Sequence, residues 1–495
     1  MAKAEESVRL PLQQQPTYKA TEDGASPLPV DSPCFGNEGG LGHNDVPLTA
    51  GLLVADVIGA GILSAAVAVA DLGWFLGAVV IVVLLLMNMH TSVLMWRIRM
   101  GCPDTHTYMG LVGAAFSRAP ARQRDLVVAL TGFAQYSSLF GVLCLYTLSF
   151  GKSLGMAMYD VHVCLPQWTV LGCILLLPFV VTARSMGSYQ SLIWFNILTI
   201  IGTVGIPLWV MAARAEEGVS DRGAYAAVAP ISLSSSMAGL SKIAFAFSSQ
   251  FMVTEIISEM KDPADFPKAY LVSAPFQGFV LLICGLGGYY YLGSNADGMI
   301  LDNIPFGRGL QMAAACLLLH MLVTYLLKGV VLCRAIHSYC DQRGCNEDNM
   351  RGWSQWGAIV VATLAASWFI AQLVPFFGDM VELLGGTCTP FCCFVIPIVA
   401  YLQWARTMGG PEAEPSKAEW CLIAVELLLA IALMLAVPYF SMQRISANWT
   451  HYGAPFSCHC EGLWNTCDCS GSETWSRPGM DQCHAQHPTR FTPDF

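Results

Sequence analysis

Apolar runs separated by short polar stretches fill the chain from residue 47 to about 441. A bilayer-spanning helix needs about 20 mostly apolar residues, and backbone groups in lipid have no water partner, so runs of that length become helices. Eleven runs qualify, at 47–70, 73–96, 126–150, 164–183, 189–212, 237–257, 269–292, 309–333, 353–374, 379–403 and 419–440. The pattern predicts an all-α polytopic membrane protein. The corner Asp71-Leu72-Gly73 joins the first two helices, and Trp74, Trp96, Trp168, Trp209, Trp353, Trp404 and Trp420 fall near predicted ends, where interfacial aromatics belong. Residues 1–46 lack any periodicity and read as a disordered cytosolic tail without the apolar segment of a signal peptide. Residues 442–495 read as a cysteine-rich tail.

Composition narrows the class. Only 12% of the residues are charged, against about 25% in soluble domains, which excludes a soluble enzyme. A net charge of −10 argues against a nucleic-acid partner. There is no phosphate-binding loop, no HExxH and no nucleophile elbow, so no enzymatic activity, metal or organic cofactor is expected. Lys and Arg set the orientation. Arg97, Arg99, Arg118, Arg122 and Arg124, with Arg334, Arg343 and Arg351, place the N-tail in the cytosol. The odd helix count then puts the C-tail outside or in a lumen. That tail holds the sequon Asn448-Trp449-Thr450 and Cys458, Cys460, Cys467, Cys469 and Cys483, which suit glycosylation and disulfides. Cys164, at the same face, is a candidate partner for the odd tail cysteine; the equal alternative is that one tail cysteine stays free, and zinc binding by the tail is less favoured.

Two helices carry a break. Helix one contains Val57-Ile58-Gly59-Ala60-Gly61-Ile62-Leu63, and helix six contains Ile243-Ala244-Phe245-Ala246-Phe247-Ser248-Ser249. Glycine lets a chain leave the helix without steric cost, and the N–H groups freed there can hold a carboxylate. The alternative for Gly59-Ala60-Gly61 is close helix packing. Helices one and six also begin the two five-helix halves, which favours a binding site at mid-membrane.

The first-helix motif, with Ser64 and Ala70-Asp71-Leu72-Gly73-Trp74, resembles the signature of the amino acid/auxin permease family, in the style of plant amino acid permeases and lysine/histidine transporters. Ile243–Ser248 with Glu255-Ile256, then Glu259-Met260-Lys261-Asp262-Pro263 and Phe266-Pro267-Lys268-Ala269, resemble the family's sixth helix and following loop. His320 and Thr324-Tyr325 resemble its eighth-helix pattern. The resemblance covers about 50–440. It implies a LeuT-type five-plus-five inverted repeat with an eleventh helix appended, and proton- or sodium-coupled uptake of amino acids.

The chain departs from the family pattern at Asp56, where a small or amide residue is expected, and at Lys242, where Gly or Asp is common. Each stands three residues before its break, Asp56 below the site and Lys242 above. Ionisable groups inside a bilayer cost about 2.5–3.5 kcal/mol on insertion scales and are usually functional. The expected function is secondary active, ion-coupled symport of an amino acid, with protons favoured over sodium. The backbone of Gly59, Ala60 and Gly61 would hold the carboxylate. Phe245 and Phe247 would cover the substrate, and Ser248 and Ser249 would reach its amine. Asp56 would carry the coupling ion. Lys242 would offset its charge or hold an anionic group, with snorkelling or a structural pair as the alternative for both; His320 would titrate and Thr324 would offer a sodium ligand, against the plainer readings of a buried hydrogen-bonded histidine and a hydroxyl bonded within its own helix. Glu255 would gate. Lys328 and Arg334 are expected to snorkel, and Glu382 and Glu426 to face the interior without a partner evident in the sequence. The expected setting is the plasma membrane ahead of an organelle membrane, with amino acid and lipid as partners, no nucleic acid, and protein partners left open. The rival readings are an amino-acid-sensing receptor on the same scaffold and a carrier of a related organic acid.

Overall fold

A computed structural model describes residues 42–452, except 160, 162, 185–189, 219–221, 230–231, 297, 343 and 375–376, together with Phe456. The N-tail before residue 42 and the tail cysteines lie outside the described residues. Eleven helical elements follow the apolar runs. They are α1 in two pieces, α1a (Val46–Val57) and α1b (Ala65–Leu72); α2 (Trp74–Gly101); α3 (Ala121–Ala157); α4 (Leu165–Thr182); and α5 (Gln190–Glu216). Then come α6a (Leu233–Ala246) and α6b (Gln250–Ser258); α7 (Pro263–Asn295); α8 (Arg308–Cys340); α9 (Met350–Leu373); α10 (Phe377–Gly409); and α11 (Lys417–Tyr452). Among the described residues, nine helices are each long and apolar enough to cross a membrane, and the bent pair of α1 makes ten. The interrupted α6 is the eleventh element. Below, the N-terminal face is the side on which α1a begins, and the far face is the opposite one.

Local chemistry explains the ends. Asp45 accepts the Leu48 N–H at 3.0 Å and Pro47 follows in the first turn, so α1a starts there. Gly73 takes φ +88° at the corner into α2, where a Cβ would stand 2.6 Å from the Ala229 nitrogen. One helix escapes the apolar pattern. Tyr108–Ala115, capped by Thr107, is only 8 residues long, too short for a membrane-length window. At the other end, α11 runs to Tyr452, so the backbone of Asn448 is helical rather than part of an irregular tail.

The two halves close around the breaks. α1b lies on α6a, α1a on α7 and α5, and α8 on α3 and α5, while α10 packs on α6a and α11. Small residues let these helices approach. A Cβ on Gly385 of α10 would stand 2.1 Å from the Ser241 carbonyl oxygen of α6a. Large apolar side chains such as Leu126, Phe133 and Leu435 are exposed, as a lipid-facing surface requires. Overpacking a tight helix contact costs about 1–3 kcal/mol. Gly385→Val is therefore expected to lower the thermal unfolding midpoint of detergent-purified protein by several degrees. Gly357→Ala, on open space, should not lower it.

Candidate functional site

The interruption in α1 comprises Ile58 and Gly59 and a 3₁₀ turn, Ala60–Ser64, and α1a diverges by 49° from the segment Ala60–Leu72. Gly59 sits under Tyr146 of α3, whose hydroxyl would be 2.3 Å from a Cβ there. Gly61 abuts α6a, with the Ala246 Cα 2.5 Å from a would-be Cβ. The two breaks therefore touch through backbone. Among the described residues, the amides of Ala60 and Gly61 donate to no backbone carbonyl, and the carbonyls of Ala246, Phe247 and Ser248 accept from no backbone amide. One break presents donors and the other presents acceptors, side by side. That pairing matches the carboxylate and ammonium of a zwitterion.

Side chains at the second break turn inward. Phe245 and Phe247 are buried, and Ser248 donates to the Phe245 carbonyl at 2.7 Å, capping its own helix. Ser249 is buried, and its hydroxyl has no hydrogen-bond partner among the described residues. Gln250, the first residue of α6b, anchors the break to α2. Its amide nitrogen donates to the Asn88 carbonyl at 3.0 Å and to Thr91 Oγ1 at 2.9 Å, and it also reaches the Asn88 side chain.

The charges pair differently from the expectation. Lys328 of α8 does not snorkel. It is buried, and its ammonium donates to the Asp56 carbonyl at 2.8 Å and to Asp56 Oδ1. Asp56 Oδ2 is buried and unpaired among the described residues. The Tyr146 hydroxyl lies beside this ammonium and Thr324. Lys242 does not offset Asp56. It lies 2.7 Å from Asp71 Oδ2 and 3.7 Å from Glu382 Oε2, in a far-face cluster where Ser441 and Arg444 of α11 also reach Glu382. Pseudo-equivalence in an inverted repeat is the reason. Three residues before each break leads to opposite sides of the site, one on α1a and one on α6a. Glu426, likewise, is not isolated: its Oε1 meets His90 Nδ1 at 2.9 Å.

Other predicted residues keep simpler partners. The Thr324 hydroxyl donates within its own helix, to the His320 carbonyl at 3.0 Å. His320 Nδ1 meets Asn196 Oδ1 at 2.9 Å, and its ring lies beside Ile58. Glu255 is buried, with Oε1 accepting from the Tyr108 amide at 3.1 Å and from Gln135 Nε2 at 2.9 Å. The structure thus gathers Asp56, His320, Thr324 and both breaks, and sets Lys242 apart. Lys328 and Tyr146 are the site residues that sequence reasoning missed. A signal existed for the first: His320, Thr324 and Lys328 are spaced by four, so they share one face of α8.

Breaking a buried ion pair by removing one partner typically costs about 3–5 kcal/mol, because a charge is left uncompensated. Lys328→Met is expected to reduce folded yield and thermal stability sharply. Asp56→Asn combined with Lys328→Met should recover most of that loss, as measured by a thermal-unfolding double-mutant cycle.

Comparison with known proteins agrees with this architecture. The family model described as transmembrane amino acid transporter protein matches residues 45–439. Amino acid permease 3 of Arabidopsis thaliana is 24% identical over 388 residues, covering 67% of this chain and 77% of that protein. Amino acid permease 1 of the same plant is 22% identical over 444 residues, covering 78% and 85%. Among solved structures, that of MhsT in complex with L-phenylalanine is similar, with TM-score 0.53 and 13% identity, covering 81% of this chain and 99% of that one. The fold is the LeuT type, the protein is an integral multi-pass transporter rather than an enzyme, and the chain belongs to the transmembrane amino acid transporter family.

Proposed function

We propose that this chain is a proton-coupled amino acid symporter whose N-terminal face is cytosolic and whose setting is the plasma membrane. The observation that carries the reading is the pairing of free donors at Ala60 and Gly61 with free acceptors at Ala246–Ser248. Donors suit a carboxylate, acceptors suit an ammonium, and the side chains of Phe245 and Phe247 stand beside them. Asp56 supplies the coupling. It lies three residues before Gly59, fully inside the protein, with one oxygen on Lys328 and one bare. A proton arriving on Asp56 releases Lys328, and substrate binding and protonation then stabilise the same rearrangement. The Lys328 ammonium already occupies the carbonyl of Asp56 at the α1–α8 junction, which disfavours a sodium ion there. The basic residues Arg97, Arg99, Arg118, Arg122 and Arg124 flank the N-terminal face and support the orientation.

Purified protein in liposomes with an imposed pH gradient tests this. At least one amino acid from a panel should accumulate saturably when the far face is acidic, with or without sodium. The folded Asp56→Asn, Lys328→Met double variant should still exchange labelled amino acid but lose the response to the pH gradient. Saturable binding with no uptake would instead make the protein a sensor, and uptake that requires sodium would remove the proton from the scheme.

A further inference from the structure

The sequence leaves the partner of Cys164 open, and three observations at the far face bear on it. The first is where the chain goes after α11. Phe456 follows Tyr452 by four residues, and its ring stands 5.7 Å from that of Trp368 and 5.4 Å from that of Phe369, near the far end of α9. Four residues reach at most about 14 Å, so the crossing is short. α11 packs on α10 and α6a, whereas α9 packs on α3 and α4, so the chain passes from one group of helices to another.

The second observation is what lies beneath Trp368. Its indole nitrogen donates to Thr169 Oγ1 at 3.1 Å and to the Pro166 carbonyl at 3.4 Å, and Gln372, one turn further on, donates to the same hydroxyl at 2.9 Å. Both acceptors belong to the start of α4, and Cys164 is the residue that caps it. Cys164 is therefore two residues from a contact of the ring on which Phe456 rests. The third observation concerns the thiol itself. The described cysteines with free thiols include Cys173, on the same helix, but not Cys164.

We propose that Cys164 and Cys458 form a disulfide that straps the C-terminal tail over the far ends of α9 and α4. Cys458 lies outside the described residues. It follows Phe456 by two residues, a reach of at most about 7 Å, and a disulfide holds its two Cα atoms about 4.4–6.8 Å apart. Cys460, Cys467, Cys469 and Cys483 come later in the tail and form an even set that can pair within itself. The strap has a physical use. α11 buries the smallest share of its length among the nine membrane-length helices, and the bond ties it to helices other than those it packs on.

The chemistry is thiol–disulfide exchange. The Cys458 thiolate attacks the disulfide of a dithiol oxidoreductase, forming a mixed disulfide and freeing one sulfur of the oxidant. The Cys164 thiolate then attacks Sγ of Cys458, the new S–S bond forms, and the oxidoreductase leaves as its dithiol. The two thiols lose two electrons and two protons, and the oxidant gains both. Oxidants of this class act on the outer or lumenal side of membranes, so the inference rests on the orientation proposed above.

The full-length chain, tagged at both ends and made in cells with a secretory pathway, tests both. In sealed microsomes, added protease should remove the N-terminal tag and spare the C-terminal one. Peptides from alkylated, non-reduced protein, cut after Glu461 as well as at Lys and Arg, should join a Cys164 peptide to one that holds Cys458. Fragmentation of the joined pair assigns the bond, and reduction should separate it. Cys458→Ser should leave Cys164 open to alkylation in denatured, unreduced protein. Cys164→Ser and Cys458→Ser should each lower the thermal unfolding midpoint by several degrees, and the double variant should lower it no further. Cys164 found as a free thiol in the unaltered chain, or joined to another cysteine, overturns the strap, as do losses that add in the double variant. Loss of the C-terminal tag to protease overturns the orientation, and the strap with it.

Discussion

A backbone that leaves the helix inside a bilayer has no water to turn to, so every group it frees must be covered by protein or kept for a ligand. This chain leaves the helix at Ile58–Gly59 and at Phe247–Ser249, and it brings the two places into contact. Much of the surrounding structure serves that arrangement. Tyr146 closes over Gly59, Ala246 fits against Gly61, and Gln250 pins the second break to Asn88 and Thr91. The amides at Ala60 and Gly61 and the carbonyls at Ala246–Ser248 stay without backbone partners among the described residues. In the proposed reading, these groups give the amino acid its polar contacts without a side-chain charge at the substrate.

Charge is used sparingly and in compact groups. Lys328 and Asp56 lie at the centre, with Lys242, Asp71, Glu382 and Arg444 toward the far face and His90, Arg97, Glu419 and Glu426 between α2 and α11. Each group ties together helices that are distant in sequence. A buried ion pair adds little net stability over an apolar contact, so its presence points to specificity or switching rather than to strength. The central pair stands apart because it touches a break: the same Lys328 ammonium meets both the carboxylate and the backbone carbonyl of Asp56.

The helices were legible because hydrophobic length is a strong signal, and the breaks because Gly59-Ala60-Gly61 interrupts an otherwise continuous apolar run. The short helix Tyr108–Ala115 was not, since eight residues leave no membrane-length pattern. The charged partners were only half legible. Asp56 stood out as an acid in a hydrophobic segment, but choosing its cation required knowing which helix faces it. Repeat symmetry suggests Lys242, whereas the four-residue spacing of His320, Thr324 and Lys328, a signal the snorkelling expectation passed over, puts Lys328 on the face of α8 that meets Asp56. Spacing was the better guide, because helix faces are set locally, whereas an inverted repeat places equivalent positions on opposite sides of the site. Glu382 found its partners Ser441 and Arg444 on α11, a pairing that no local pattern encodes.

The central claim is that an amino acid at the breaks and a proton at Asp56 cross together. The most direct measurement is the luminal pH of weakly buffered proteoliposomes, with no imposed gradient, when a transported amino acid is added at the far face. Coupled entry predicts luminal acidification that follows amino acid uptake in time and saturates with it, and that disappears in the folded Asp56→Asn, Lys328→Met variant. Amino acid uptake at full rate with no change in luminal pH would contradict it.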